Sequence, residues 1–181
     1  MTDLKKRFLA PVLLLIVLTA APRIKAADGI WTNYAGGSWT NSINWSGGAI
    51  ADGTNSTANF STLDIVQDMT VTLDGPRTNG SLIFSDLTPS HNWILNTGIG
   101  GVLNLAVSSG SCIISNSGTM VTIGAALAGT SPVRVFAPGT LLLTATNTFT
   151  GAITIDAGTM TIGGSGQLGA GNYAGNIANS G

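Results

Sequence analysis

Apolar and polar positions alternate in short runs along this chain, and the runs recur on a beat. Met69-Thr70-Val71-Thr72-Leu73 puts Met69, Val71 and Leu73 on one face and both threonines on the other, the period-two pattern of a half-buried strand. Ile153-Thr154-Ile155 and Met160-Thr161-Ile162 repeat it, with Ile162 expected inside. Leu141-Leu142-Leu143 is continuous instead, which predicts a strand covered on both faces. Gly118-Thr119-Met120, Gly139-Thr140-Leu141 and Gly158-Thr159-Met160 return about every 20 residues. Looser versions, Gly80-Ser81-Leu82-Ile83-Phe84 and Gly101-Val102-Leu103-Asn104-Leu105, extend the series backwards. One short β-run per unit predicts strands near residues 80, 101, 118, 139 and 158 stacked in parallel, each coil on the last. The run Met120–Ile123 is one residue longer than its counterpart at Met160, which predicts a bulge or a shifted register there.

The connectors fit the same picture. Gly139, Gly151 and Gly158 stand where a coil must corner, a place for positive φ. Asn116 and Asn147 are the next best tolerated types at such corners, because a short amide also bonds nearby backbone. Helix periodicity is weak throughout, so the expected class is all-β.

The first residues change how composition is read. Lys5, Lys6 and Arg7 precede an apolar run from Phe8 to Leu18, and Ile24-Lys25-Ala26 ends on a small residue, the pattern of an export signal spanning residues 1–27. The apolar run is too short for a membrane-spanning helix. Removing it leaves Arg77 and Arg134 against seven aspartates, with no glutamate. So few cations cannot neutralise a phosphate backbone, and nucleic acid is excluded as a partner. Anionic membranes are disfavoured likewise, leaving membrane contact to the leader or to a C-terminal anchor not present in the chain. The lone Cys112 cannot form an internal disulfide and, beside Ile113 and Ile114, reads as a small buried hydrophobe.

Candidate chemistry is sparse. Gly164-Ser165-Gly166-Gln167-Leu168-Gly169 satisfies the glycine spacing of a dinucleotide loop, but no helix pattern or later acidic residue completes it. His91 has no obvious nucleophile or carboxylate partner and reads as a surface turn. The aspartates are scattered. Asp74 and Asp86 could meet across coils as a glycosidase pair, and no dense oxygen cage for a metal is present. The triplets at Asn44, Asn55 and Asn59 read as ordinary loop residues. The expectation is therefore no catalytic, cofactor-binding or metal-binding residue, and no cofactor.

Trp31, Tyr34, Trp39 and Trp45 crowd the start of the mature chain. They read as a cap over the open end of the first coil, within a region of residues 28–68. The alternative is a platform on which sugar rings stack.

Gly139-Thr140-Leu141-Leu142-Leu143, Asn147-Thr148-Phe149-Thr150-Gly151, Ile153-Thr154-Ile155, Ala157-Gly158-Thr159-Met160 and Leu168-Gly169 together resemble the autotransporter-associated β-strand repeat. The resemblance covers residues 139–169. Phe149 stands where tyrosine is usual, and Met160 replaces a leucine. The resemblance implies a right-handed parallel β-helix over residues 69–181, in an exported or cell-surface protein of autotransporter passenger type. It implies a structural or adhesin-like role toward cell-surface or extracellular glycans or proteins, outside the cell or in the periplasm if translocation stops there. Family members usually continue for many repeats, so a fragment, a truncated frame or a degenerate copy is expected. A β-helical carbohydrate-active enzyme is the remaining alternative.

Overall fold

A computed structural model describes residues 26–181. All but Ala26 and Ala27 of the expected leader lie outside these residues. The described chain is an all-β parallel solenoid of about five turns. The turns run in the same order over two faces, and three of them add a strand on a third.

On the first face Gly29–Ile30, Thr57–Phe60, Ser81–Phe84 and Cys112–Asn116 pair in parallel, followed by the opening halves of Val133–Leu143 and Ile153–Ile162 and then by Ile177–Asn179. The second face runs Gly37–Ser38, Met69–Leu73, Trp93–Thr97 and Met120–Ile123, and continues through the closing halves of the same two long strands. Arg77–Asn79, Val102–Leu105 and Ala126–Ala128 make the third face. Ladder pairing thus reaches from Gly29 to Asn179, well into the stretch read as a cap.

Period-two patterning produces columns of stacked side chains inside this frame. On the second face Met69 pairs with Trp93, Trp93 with Val121, Val121 with Leu141 and Leu141 with Met160. The parallel column of Val71, Leu95, Ile123 and Leu143 is also buried. Each such aliphatic side chain contributes about 1.5 to 3 kcal/mol through burial, which is how a chain poor in charge and disulfides holds together. Met69, Val71 and Leu73 face inward and both threonines outward, as their alternation requires.

The Gly-Thr phrases at 118, 139 and 158 do stack: Thr140 lies between Met120 and Thr159 in the second-face ladder. The two looser phrases do not join them. Gly80 opens a first-face strand and Gly101 a third-face strand, because connectors of different length put the early coils out of phase with a fixed beat. Ser81 pairs forward with Ile113, whereas Arg134 pairs with Thr154, so the third step along the first face is much longer than the fifth.

Two local expectations need correction, and a third holds. Leu142 is only half-buried, so the leucine run alternates like the other strands. Ile162 is 38% exposed, because no described strand covers that part of Ile153–Ile162. The expected shift of register at Met120–Ile123 is present: Met120 pairs with Thr140, one residue out of step with the Gly-Thr phrases, whereas Thr140 pairs in step with Thr159, and further shifts fall between Val135 and Phe136 and between Ala137 and Thr140.

The glycine corners also divide by cause. Gly158 has φ +79°, a left-handed conformation that suits glycine. Gly139 and Gly151 lie outside that region. Glycine is needed there because a Cβ would collide with the carbonyl oxygens of Gly118 and Thr119, or of Thr130 and Ser131, in the preceding coil.

Candidate functional site

The aromatic cluster is the largest concentration of chemistry-bearing side chains, and it is an interior. Trp31 and Trp39 are fully buried and Trp45 is 2% exposed. Trp45 meets Trp31 edge-on at 5.2 Å and Trp39 at 5.1 Å, and all three contact Phe60 at centroid distances between 5.3 and 5.9 Å. Phe60 stacks on Phe84 of the next coil at 4.9 Å, and both approach Trp93. The ring assembly therefore fills the solenoid bore over its first coils.

The indole N–H groups are spent within the protein. Nε1 of Trp31 donates to the Asn33 carbonyl, that of Trp39 to Ala51 and that of Trp45 to Trp39. Buried tryptophan with a bonded N–H offers neither a face nor a donor to an outside sugar. Of the four residues weighed as a stacking platform, Tyr34 alone is exposed. Asn44 belongs to the same plug: its side-chain nitrogen donates to the Ser38 carbonyl and its oxygen accepts from Asn33. It is buried, contrary to its reading as an ordinary loop residue, because the turn at Ser42–Asn44 directs it inward.

The scattered aspartates are not scattered in function. Asp28 accepts from the Thr57 amide, Asp52 from Thr78, Asp64 from Thr88 and Asp68 from Asn92, at 2.7 to 3.0 Å. In each case the carboxylate reaches a backbone N–H of the next coil. Asp86 works in the opposite direction, accepting the Ile65 amide of the preceding coil at 2.9 Å. Corners where the strand ladder lapses would otherwise leave these donors unpaired, and charged acceptors bond them more strongly than neutral ones. Asp52 also takes the Arg77 guanidinium at 3.1 Å.

Asp86 and His91 form the most reactive-looking group. Asp86 is buried, and its second oxygen accepts the amides of Ser90 and His91 and the Ser90 hydroxyl. Burial alone would push its pKa up, but these amides and the hydroxyl outweigh burial and hold the carboxyl below its ordinary value. Ser90 Oγ lies 2.7 Å from His91 Nδ1, and that nitrogen is 3.0 Å from the Ile65 carbonyl. The arrangement is wrong for a nucleophile. The carboxylate touches the serine and not the imidazole, so it takes the hydroxyl proton as a bond partner and orients no base. Asp74 follows a second-face strand and lies against Gly98, at a different corner from Asp86, so the carboxylate pair does not form.

Cys112 is buried, and its thiol is pushed up by burial, with the Ser131 hydroxyl opposing in part. Asn147 is the feature that sequence spacing found and burial explains. It is fully buried, accepts the Leu127 amide of one coil at 2.9 Å and donates to the Gln167 carbonyl of the next at 3.0 Å. Gly164 to Gly169 lies on an exposed turn beside it and contains no helix of the length a dinucleotide loop feeds.

Residues of this chain are similar to an autotransporter adhesin of Brucella suis biovar 1 (strain 1330), described as "Adhesin BmaC autotransporter", with 38% identity over 101 residues. That alignment takes in 56% of the chain and 3% of the relative, so the chain spans a small part of the protein it matches. No family model matches the sequence, and no solved structure matches the fold.

Proposed function

We propose that this chain, whose coils are those of an autotransporter passenger β-helix, is a non-enzymatic, adhesin-like segment of an exported or cell-surface protein. The observation that carries this reading is the parallel ladder on two faces, joined to the similarity with a protein described as an autotransporter adhesin. Such a ladder gives length and an extended outer surface, and it serves contact by summing small contributions from many coils. The polar groups with catalytic potential support the same view. Asp28, Asp52, Asp64, Asp68 and Asp86 bond backbone amides of neighbouring coils, and Ser90 bonds Asp86.

Location, processing and turnover measurements test the proposal. Antibody labelling and protease shaving of intact cells should find the segment outside, and N-terminal sequencing of the exported product should begin at Ala27 or Asp28. Recovery only as an intact cytosolic chain overturns it. Turnover of any member of a polysaccharide panel by the purified protein overturns the non-enzymatic part.

A further inference from the structure

The outer surface of the first face carries a groove of about 390 Å³ bounded by Ile113, Ser115, Arg134, Phe136 and Asp156. Three consecutive coils build it. Arg134 pairs with Ile113 below and Thr154 above, and Phe136 pairs with Ser115, so the outward positions form a small grid. Phe136 is 52% exposed and Ile113 is 43% exposed, and they share the outward side of neighbouring strands beside an ion pair, which sets them apart from apolar side chains exposed singly elsewhere.

The bulge is at this spot. Val135 pairs with Ile155 but Phe136 pairs with Ala157, so Asp156 is the extra residue. Bulges re-aim side chains. Here the released Asp156 carboxylate meets the Arg134 guanidinium through two bonds of 2.9 Å, Nε to Oδ2 and Nη2 to Oδ1. The pair stands at the rim, neutral overall, with donor and acceptor capacity left over toward solvent.

We infer that this groove binds a neutral sugar, one or two rings across. The ring's C–H face lies on Phe136 and Ile113, and its hydroxyls meet the Arg134–Asp156 pair and Ser115. An apolar floor edged by a neutral polar fork matches the two-sidedness of a pyranose. A compensated charge pair gives no advantage to an anionic or cationic ligand. A peptide adding as a β-strand is refused, because Cys112–Asn116 and Val133–Leu143 each already have parallel neighbours on both sides over this face. The inference deepens the adhesin-like reading by giving the contact a place and a chemistry.

The test titrates the purified exported chain, labelled for NMR, with cellobiose, lactose and N,N′-diacetylchitobiose. At least one should give saturable shifts confined to the strands of Ile113, Phe136 and Asp156. Phe136→Ala and Arg134→Gln should each weaken that binding roughly tenfold or more, with Phe136→Trp retaining it. Both positions are exposed, so the melting temperature should stay close to the parent's. No saturable shift with any of the three sugars overturns the inference, as does binding that Phe136→Ala leaves intact, or shifts centred on Tyr34. The cell-surface labelling described above is independent of these outcomes: a chain found outside the cell with an empty titration loses the groove and keeps the adhesin-like reading.

Discussion

The first coils and the last coils fill and staple the same solenoid by different means. Over the first coils the bore is packed with Trp31, Trp39, Trp45, Phe60, Phe84 and Trp93, and carboxylates bond backbone amides across the corners. Over the last coils the bore holds Val135, Leu141, Leu143 and Ile153, and interior amides bond between coils, Asn147 to both neighbours and Asn116 to the Thr140 carbonyl. The difference follows from coil length. Early turns carry long connectors whose amides drift out of ladder range, and a carboxylate spans the gap. Late turns are tight enough for a short buried amide to reach both neighbours.

Removing a ring from the aromatic end should do the most damage. Trp39→Ala should cost about 3 to 5 kcal/mol, since it empties a fully buried site and strips the Ala51 carbonyl of its donor. Urea unfolding would read it, and a loss below about 1 kcal/mol would break the claim that the rings are core. At the other end Asn147→Ala should cost about 2 kcal/mol, by leaving the buried Leu127 amide without its acceptor, while the Ala145 and Gln167 carbonyls keep backbone donors. Proteolysis should then begin in the coils around residue 147. A cut among the first coils instead would contradict the division between the two ends.

Asp86→Asn sharpens the comparison through pH. The folded carboxyl sits below the 3.8 of the free group, so the folded state holds its proton less readily than the unfolded chain. Its stabilisation is complete above that value and is lost as pH falls through it toward the lowered folded value. The variant should lose roughly 1 to 3 kcal/mol near neutrality and should show a shallower loss in acid than the parent. Equal acid slopes would remove Asp86 from the account. Smallest of all, Ile162→Asp should change stability by about 0.5 kcal/mol or less, because the side chain is already at the surface. A loss of several kcal/mol would mean that a further coil covers it.

Sequence made the strands legible wherever alternation was clean, as at Met69–Leu73, because period two is a local property that burial preserves. It also found Asn147, since a lone asparagine between apolar runs marks a corner. Phase was harder to read. Gly80 and Gly101 share the motif of Gly118 but stand on other faces, because connectors differ in length from coil to coil, and side chains such as Asp64 and Asp86 hold the longer ones to a neighbouring coil. The bulge at Asp156 was invisible for a related reason: it is a mismatch between two strands, and neither strand alone contains it. The tryptophans were legible as a cluster, and only packing decides which way indoles face.

Ladder bonds in this molecule lie along the solenoid axis, and that has a mechanical consequence. Tension applied end to end meets one coil interface at a time, so the interfaces are loaded in series and not in shear. Such a body peels from its weakest end, each detached coil releasing extra contour length while the rest stays wound. The aromatic plug, with rings bridging successive coils from Trp31 to Trp93, makes the first coils the end that should yield last. A tether built this way absorbs a sudden pull by lengthening in small steps before it lets go.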